Sequence, residues 1–192
     1  TEPNIEAYGW DLDPRILAVA KENAPGAHLE VRNGLDAYFG DEFDYIIGNP
    51  PYFELKLQEP QKSQFREVIN GRPNIYGLFF KVGLDVLKPG GKLAFVVPPS
   101  MNAGAYFKNL RRYLTSKNHI ISLKVFNDAT MFLDAQTAVQ VIVVEKGPGP
   151  SKNTFEIIDP HSGHSTLIFC ENPTEFEALY EGCVSLVSLG YE

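Results

Sequence analysis

Asn49-Pro50-Pro51-Tyr52 is the segment of this chain whose residue types and order can do chemistry. A residue that precedes proline is pushed out of the helical region into extended backbone, so Asn49 and Pro50 both hold restricted conformations. Such a loop can aim the Asn49 amide oxygen and the Pro50 carbonyl at one point. That point suits an exocyclic amine, whose lone pair is delocalised into its ring. Two acceptors facing its two N–H donors localise electron density on nitrogen and make it a nucleophile. Against a sulfonium methyl, already activated by its charge, the amine needs little general-base help. Tyr52 adds a ring face for a planar base, a contact worth roughly 1–3 kcal/mol. Asn-Pro also marks ordinary turns. Here it directly follows Asp44-Tyr45-Ile46-Ile47-Gly48, at the carboxyl end of a buried strand, where open α/β sheets place their ligands.

The elements around this loop alternate. Ile5-Glu6-Ala7-Tyr8-Gly9-Trp10 reads as a strand. Asp13 then caps a helix over 15–24, with Pro14 at its first position. Residues 28–32 and 43–48 read as further strands, and this rhythm implies a parallel sheet. Leu78, Phe79, Val82 and Val86 give 75–87 helical periodicity. Lys88-Pro89-Gly90-Gly91 stops that helix before a strand over 92–97. Residues 102–117 read as one helix. Runs 120–126 and 137–145 are β-rich and suited to an antiparallel pair at the sheet edge. After Gly147-Pro148-Gly149-Pro150 come two short strand-like runs about a turn at 161–164 and a helix from near Thr174. No internal repeat supports a solenoid.

The 192 residues, 44% hydrophobic and 21% charged, suit one globular domain with a full core. No apolar run approaches a membrane helix and the start does not resemble a signal peptide, so a cytoplasmic location with no membrane contact is expected. Cys170 and Cys183 are too few for a disulfide framework and are expected as reduced structural thiols. The net charge of −7 argues against a broad phosphate-binding face, leaving only a pocket and a small basic edge here. Lys108, Arg111, Arg112 and Lys117 crowd one predicted helix, and a solvated face is their ordinary role. His161 and His164 lack further ligands, so no metal site is expected.

The segment from Tyr8 to Lys146 resembles the gamma-class amino-methyltransferases of restriction and modification systems, the TaqI-like and Eco57I-like family. The resemblance implies a Rossmann-like α/β fold, a mostly parallel sheet with an antiparallel edge hairpin. It further implies methyl transfer from S-adenosylmethionine to N6 of an adenine flipped out of DNA. Tyr8-Gly9-Trp10-Asp11-Leu12-Asp13-Pro14 is similar to the motif whose first acid binds the cofactor ribose, which assigns Asp11 and its neighbour Leu12. Val31-Arg32-Asn33-Gly34-Leu35 resembles the next motif, with Asn33 where an aspartate usually meets the cofactor adenine and Gly34 beside it. Ile75-Tyr76-Gly77-Leu78-Phe79-Phe80 is similar to the segment that packs on that adenine, implicating Leu78 or Phe79. Met131-Phe132-Leu133-Asp134-Ala135 matches the segment whose aromatic residue contacts the extruded base, which makes Phe132 a second stacking candidate. As isolated residues, Leu78, Phe79 and Phe132 would be ordinary core.

The family also has a first strand and a glycine-rich loop before the segment matching Tyr8, and no such loop stands there. The expectation is a catalytic core over 1–147 lacking those parts, then an appendage over 148–192 leading toward a target-recognition domain. A fragment of this kind would bind S-adenosylmethionine weakly and be inactive alone. DNA would be contacted mainly through that other domain or subunit, with a restriction nuclease as partner or fusion. The loop itself equally suits amino methylation of protein glutamine or of RNA bases, and a non-catalytic module keeping the fold is a third reading.

Overall fold

The computed structural model describes residues 5–36, 42–126, 138–150, 152–158, 164–183 and 185–189. Residues 1–38 and 39–192 form two compact units. In the first, β1 (Tyr8–Asp11) and β2 (His28–Val31) pair in parallel across α1 (Pro14–Asn23). Asp13 caps α1 by accepting from the Arg15 amide at 2.9 Å, and Pro14 stands in its first turn. No residue of α1 is buried.

The second unit holds one sheet in the order β3-β4-β6-β5-β9-β7-β8. Its strands are β3 (Phe43–Gly48), β4 (Leu87–Val97), β5 (Asn118–Phe126), β6 (Val139–Lys146), β7 (Asn153–Ile158), β8 (Ser165–Cys170) and β9 (Ser185–Ser188). β3 and β4 are parallel, and every later pairing is antiparallel. The α/β class therefore holds with a mixed sheet. The β5–β6 pair forms as expected but lies inside the sheet, because β9 extends it past β5 to β7 and β8. Segment 148–192 thus shares this sheet.

Between β3 and β4 run a short α2 (Gln61–Gln64) and α3 (Ile75–Val86). Asn74 caps α3, and Leu78, Phe80, Leu84 and Val86 are buried beneath it. Burial on nearly all sides is what such an apolar helix requires. Gly83 lets α3 close on β4, since a Cβ there would stand 2.5 Å from Leu93 Cδ1. The core continues through Leu93, Phe95 and Val97 of β4 and Ile142 and Val144 of β6. On β5 the buried positions shift from Ile120 to Leu123 and Val125, because a bulge near Ile121 inserts one residue and reverses the alternation.

The expected single helix over 102–117 is broken. Two 3-10 turns, Pro99–Asn102 and Ala105–Phe107, precede α4 (Lys108–Ser116). Gly104 is extended, at φ −64° and ψ 131°, and the Arg111 guanidinium takes the carbonyls of Met101 and Gly104 at 3.1 and 2.8 Å. Arg111 is buried and paired at 2.7 Å with Glu181 of α5 (Pro173–Gly182), so it is a structural clamp and no part of a basic face. Lys117 pairs with Glu67. Among the described residues, no helix is long and apolar enough to cross a membrane.

Candidate active site

β3 delivers the loop. Gly48 pairs with Phe95 of β4, and a Cβ at Gly48 would meet the Phe95 ring at 3.1 Å, so a larger residue just before Asn49 would have to displace that ring slightly. Pro50 is buried while Asn49, Pro51 and Tyr52 are exposed, which anchors the loop and leaves its polar groups accessible. The chain beyond is tied to the start of α3, with the Ile75 amide donating to the Phe53 carbonyl and the Leu55 amide to that of Pro73, both at 2.9 Å. Asn70 and Asn109 stitch the excursion to the α4 region through the carbonyls of Ala105 and Ile69.

The Tyr52 hydroxyl lies 2.5 Å from Asn49 Oδ1 and 2.8 Å from the Val96 carbonyl, donating toward both. Its ring meets that of Tyr76 edge-on, centroids 6.0 Å apart, and Tyr76 stacks on Phe107 at 5.2 Å. Burial pushes the Tyr52 phenol above its ordinary pKa and the Tyr76 phenol much further, so both stay protonated at neutral pH. Among the described residues, the buried Tyr76 hydroxyl makes no hydrogen bond of ordinary geometry, and its polar neighbour is Ser100. Asn49 lines an open recess of about 490 Å³ with Ile47, Gly48, Ala94, Phe95, Val96 and Val141. Its walls are almost entirely apolar, so Asn49 is the polar side chain presented to an occupant.

Leu78 has no exposed surface and belongs to the core, while Phe79 on the next position keeps partial exposure. Phe132 lies outside the described residues, as does His161. Tyr76, Phe107 and the Val96 carbonyl had not been singled out. Tyr76 stands in the segment already noted, but its contact with Tyr52 depends on how 49–74 returns to α3.

In the first unit, Asp11 and Asn33 stand at the carboxyl ends of the paired strands, with the Arg32 amide donating to the Asp11 carbonyl at 3.0 Å. Asp11 Oδ1 accepts from the Asp13 amide at 2.8 Å, while among the described residues no hydrogen bond reaches Oδ2. That oxygen fits a ribose diol. The Asn33 amide is turned on its own chain: Nδ2 donates to Asp36 and Oδ1 accepts from the Leu35 amide at 3.1 Å. One lone pair of Oδ1 remains for an amino group. Leu12 is exposed and Gly34 half-buried in the turn.

The fold is Rossmann-like. A solved protein assigned as a class I S-adenosylmethionine-dependent methyltransferase, from Listeria monocytogenes, superposes with a TM-score of 0.63 at 24% identity, covering 75% of this chain and 45% of that one. A type I restriction-modification methyltransferase subunit from Streptococcus thermophilus gives 0.67 at 16% identity, covering 92% and 42%. The family model of the Eco57I restriction-modification methylases matches residues 19–132, more than half of the chain, and the chain belongs to that family. It is 31% identical over 172 residues to the modification methylase CviBIII of Paramecium bursaria Chlorella virus NC1A. That match covers 86% of this chain and 44% of the viral protein, so the chain spans under half of that relative's length.

Proposed function

We propose that the protein carrying this chain transfers a methyl group from S-adenosylmethionine to the N6 amino group of an adenine extruded from DNA. The observation that carries this reading is Asn49 Oδ1, held on a proline-restricted loop at the carboxyl end of β3 beside an open apolar recess. Membership of a restriction-modification methylase family supports DNA as the substrate polymer. A base must leave the duplex to reach such a recess, at a cost of a few kcal/mol.

Asn49 Oδ1 and the Pro50 carbonyl accept from the amine, Pro51 keeps Pro50 extended, and the Tyr52 ring, with Phe132, stacks on the base. Asp11 Oδ2 holds the ribose hydroxyls of the cofactor, Asn33 and Gly34 meet its adenine edge, and Leu12 supplies apolar contact. When bound, S-adenosylmethionine supplies a methyl carbon activated by positive sulfur. The acceptors stabilise charge developing on the amine as it attacks. With a net charge of −7, phosphate contact falls mainly to a target-recognition domain or subunit beyond this chain, with a nuclease as partner or fusion.

The test is product analysis. The full-length protein, tritiated cofactor and separate DNA, RNA and glutamine-bearing protein substrates are incubated, and labelled polymers are digested and chromatographed. Label in N6-methyladenine from DNA is expected. Label in protein or RNA with unlabelled DNA would overturn the proposal.

A further inference from the structure

Charge is spread unevenly along this chain. Residues 61–117 hold ten of its 17 lysines and arginines and only two of its 24 acids, Glu67 and Asp85. In a chain of net charge −7, this stretch is the part that attracts a polyanion. Five of the ten are ion-paired within the fold: Arg111 with Glu181, Lys81 and Lys117 with Glu67, Lys88 with Asp44, and Lys92 with Glu145. Arg72 keeps a loose 3.8 Å pair with Glu54. Lys62, Arg66, Lys108 and Arg112 are exposed and make no salt bridge among the described residues.

Three of these border the Asn49 loop. Lys108 and Arg112, four residues apart, share one exposed stripe of α4. The turn that follows Arg66 lies along the start of that helix, with Asn70 donating to the Ala105 carbonyl at 2.9 Å and Asn109 to that of Ile69. Immediately before Lys108, Phe107 stacks on Tyr76, whose ring meets Tyr52. The cationic stripe therefore begins two ring contacts from the loop that carries Asn49. A base extruded into the recess stays tied to its own phosphates, which come to rest at this rim. Resting on the methylation reading above, we infer that Lys108 and Arg112, with Arg66 of the facing turn, grip the DNA phosphates that flank the extruded base. The occupant follows from charge: exposed cations without carboxylate partners meet the polyanion, while the acidic remainder of the chain repels it. The grip is indifferent to sequence and serves to place the strand, so these are positioning residues.

The experiment measures how the affinity of the full-length protein, with cofactor, for a duplex carrying its mapped methylation site changes with salt. Lys108→Gln combined with Arg112→Gln removes two phosphate contacts and should flatten the slope of log affinity against log salt by about two. Lys88→Gln combined with Lys92→Gln changes net charge equally at the opposite end of β4, where both side chains are ion-paired, and should leave the slope as it is in the parent. An unchanged slope in the Lys108 and Arg112 variant would overturn the grip alone, and so would equal flattening in both variants, which would reduce the effect to net charge. A parent that binds no DNA would overturn the methylation reading and the grip with it.

Discussion

Two parallel strand pairs carry the candidate residues of this chain, and they differ in what supports them. β3 and β4 end in the Asn49 loop over a packed layer in which Leu93, Val97, Leu78 and Phe80 are all fully buried. β1 and β2 end in Asp11 and Asn33, yet the helix between them buries no residue, and Ile16 and Val19 stand more than half exposed. Groups of the first pair are fixed by distant parts of the chain, such as the Val96 carbonyl and the Tyr76 ring. Groups of the second pair are fixed by neighbours two or three residues away, through the turns at 11–13 and 33–36. Preorganisation by tertiary packing and by local turns are thus separable within one molecule, and each responds to different perturbations.

The clamp that shapes the packed region should be the costliest to break. Glu181→Ala leaves the buried Arg111 guanidinium with only its carbonyl partners, and because Glu181 is itself nearly half exposed the expected cost is about 1–3 kcal/mol, read as a lower urea midpoint with an unchanged slope. Gly83→Val forces a side chain into the Leu93 contact and should cost about 1–3 kcal/mol. If either substitution left the midpoint within error, the packed region would be looser than described. Hydrogen exchange compares the two regions directly: amides of α3 should be protected far longer than those of α1, and equal protection would erase the contrast.

Much of this contrast could be read from residue order and much could not. The bounds of β3 were legible to its last residue because an apolar run ends abruptly at Asn-Pro. Its expected burial inside the sheet fails: it is the edge strand among the described residues, with Tyr45 73% and Ile47 85% exposed. The α1 start was legible because Asp13-Pro14 is a complete local signal. The single helix expected over 102–117 failed because its break depends on Arg111 reaching back to Met101 and Gly104 and across to Glu181, 70 residues away. Arg111 looked like one charge among four on a solvated face. β9 was not anticipated either, since a four-residue strand is specified by its partners β5 and β7. The chemistry of the Asn49 loop was readable as residue types. Its hydrogen bond to Tyr52 and the shared Val96 carbonyl, 44 residues on, were not.

Two smaller effects sharpen the local side. Asp13→Ala removes the α1 cap and should loosen the first turn of that helix, seen as faster exchange of the first α1 amides with no change in α3. His119, hydrogen-bonded to Ser188 between β5 and β9, has its ionisation lowered from 6.5 chiefly by burial, with Glu145 and Asn153 opposing. A histidine held neutral in the fold contributes stability that is present above about 6.5 and lost as pH falls through the lowered folded value. The urea midpoint should fall more between pH 7.5 and 5.5 in the parent than in His119→Gln. Equal falls would remove His119 from the pH response.

Single-turnover methylation of adenine by the full-length protein, compared with Asn49→Ala under saturating DNA and cofactor, reaches the central claim most directly. Loss of a preorganised partner of the reacting group lowers the chemical step by about 10²–10³-fold, and that drop is the predicted result. A variant that transfers methyl within threefold of the parent rate would contradict the assignment of Asn49 Oδ1 as the acceptor that makes the amine reactive.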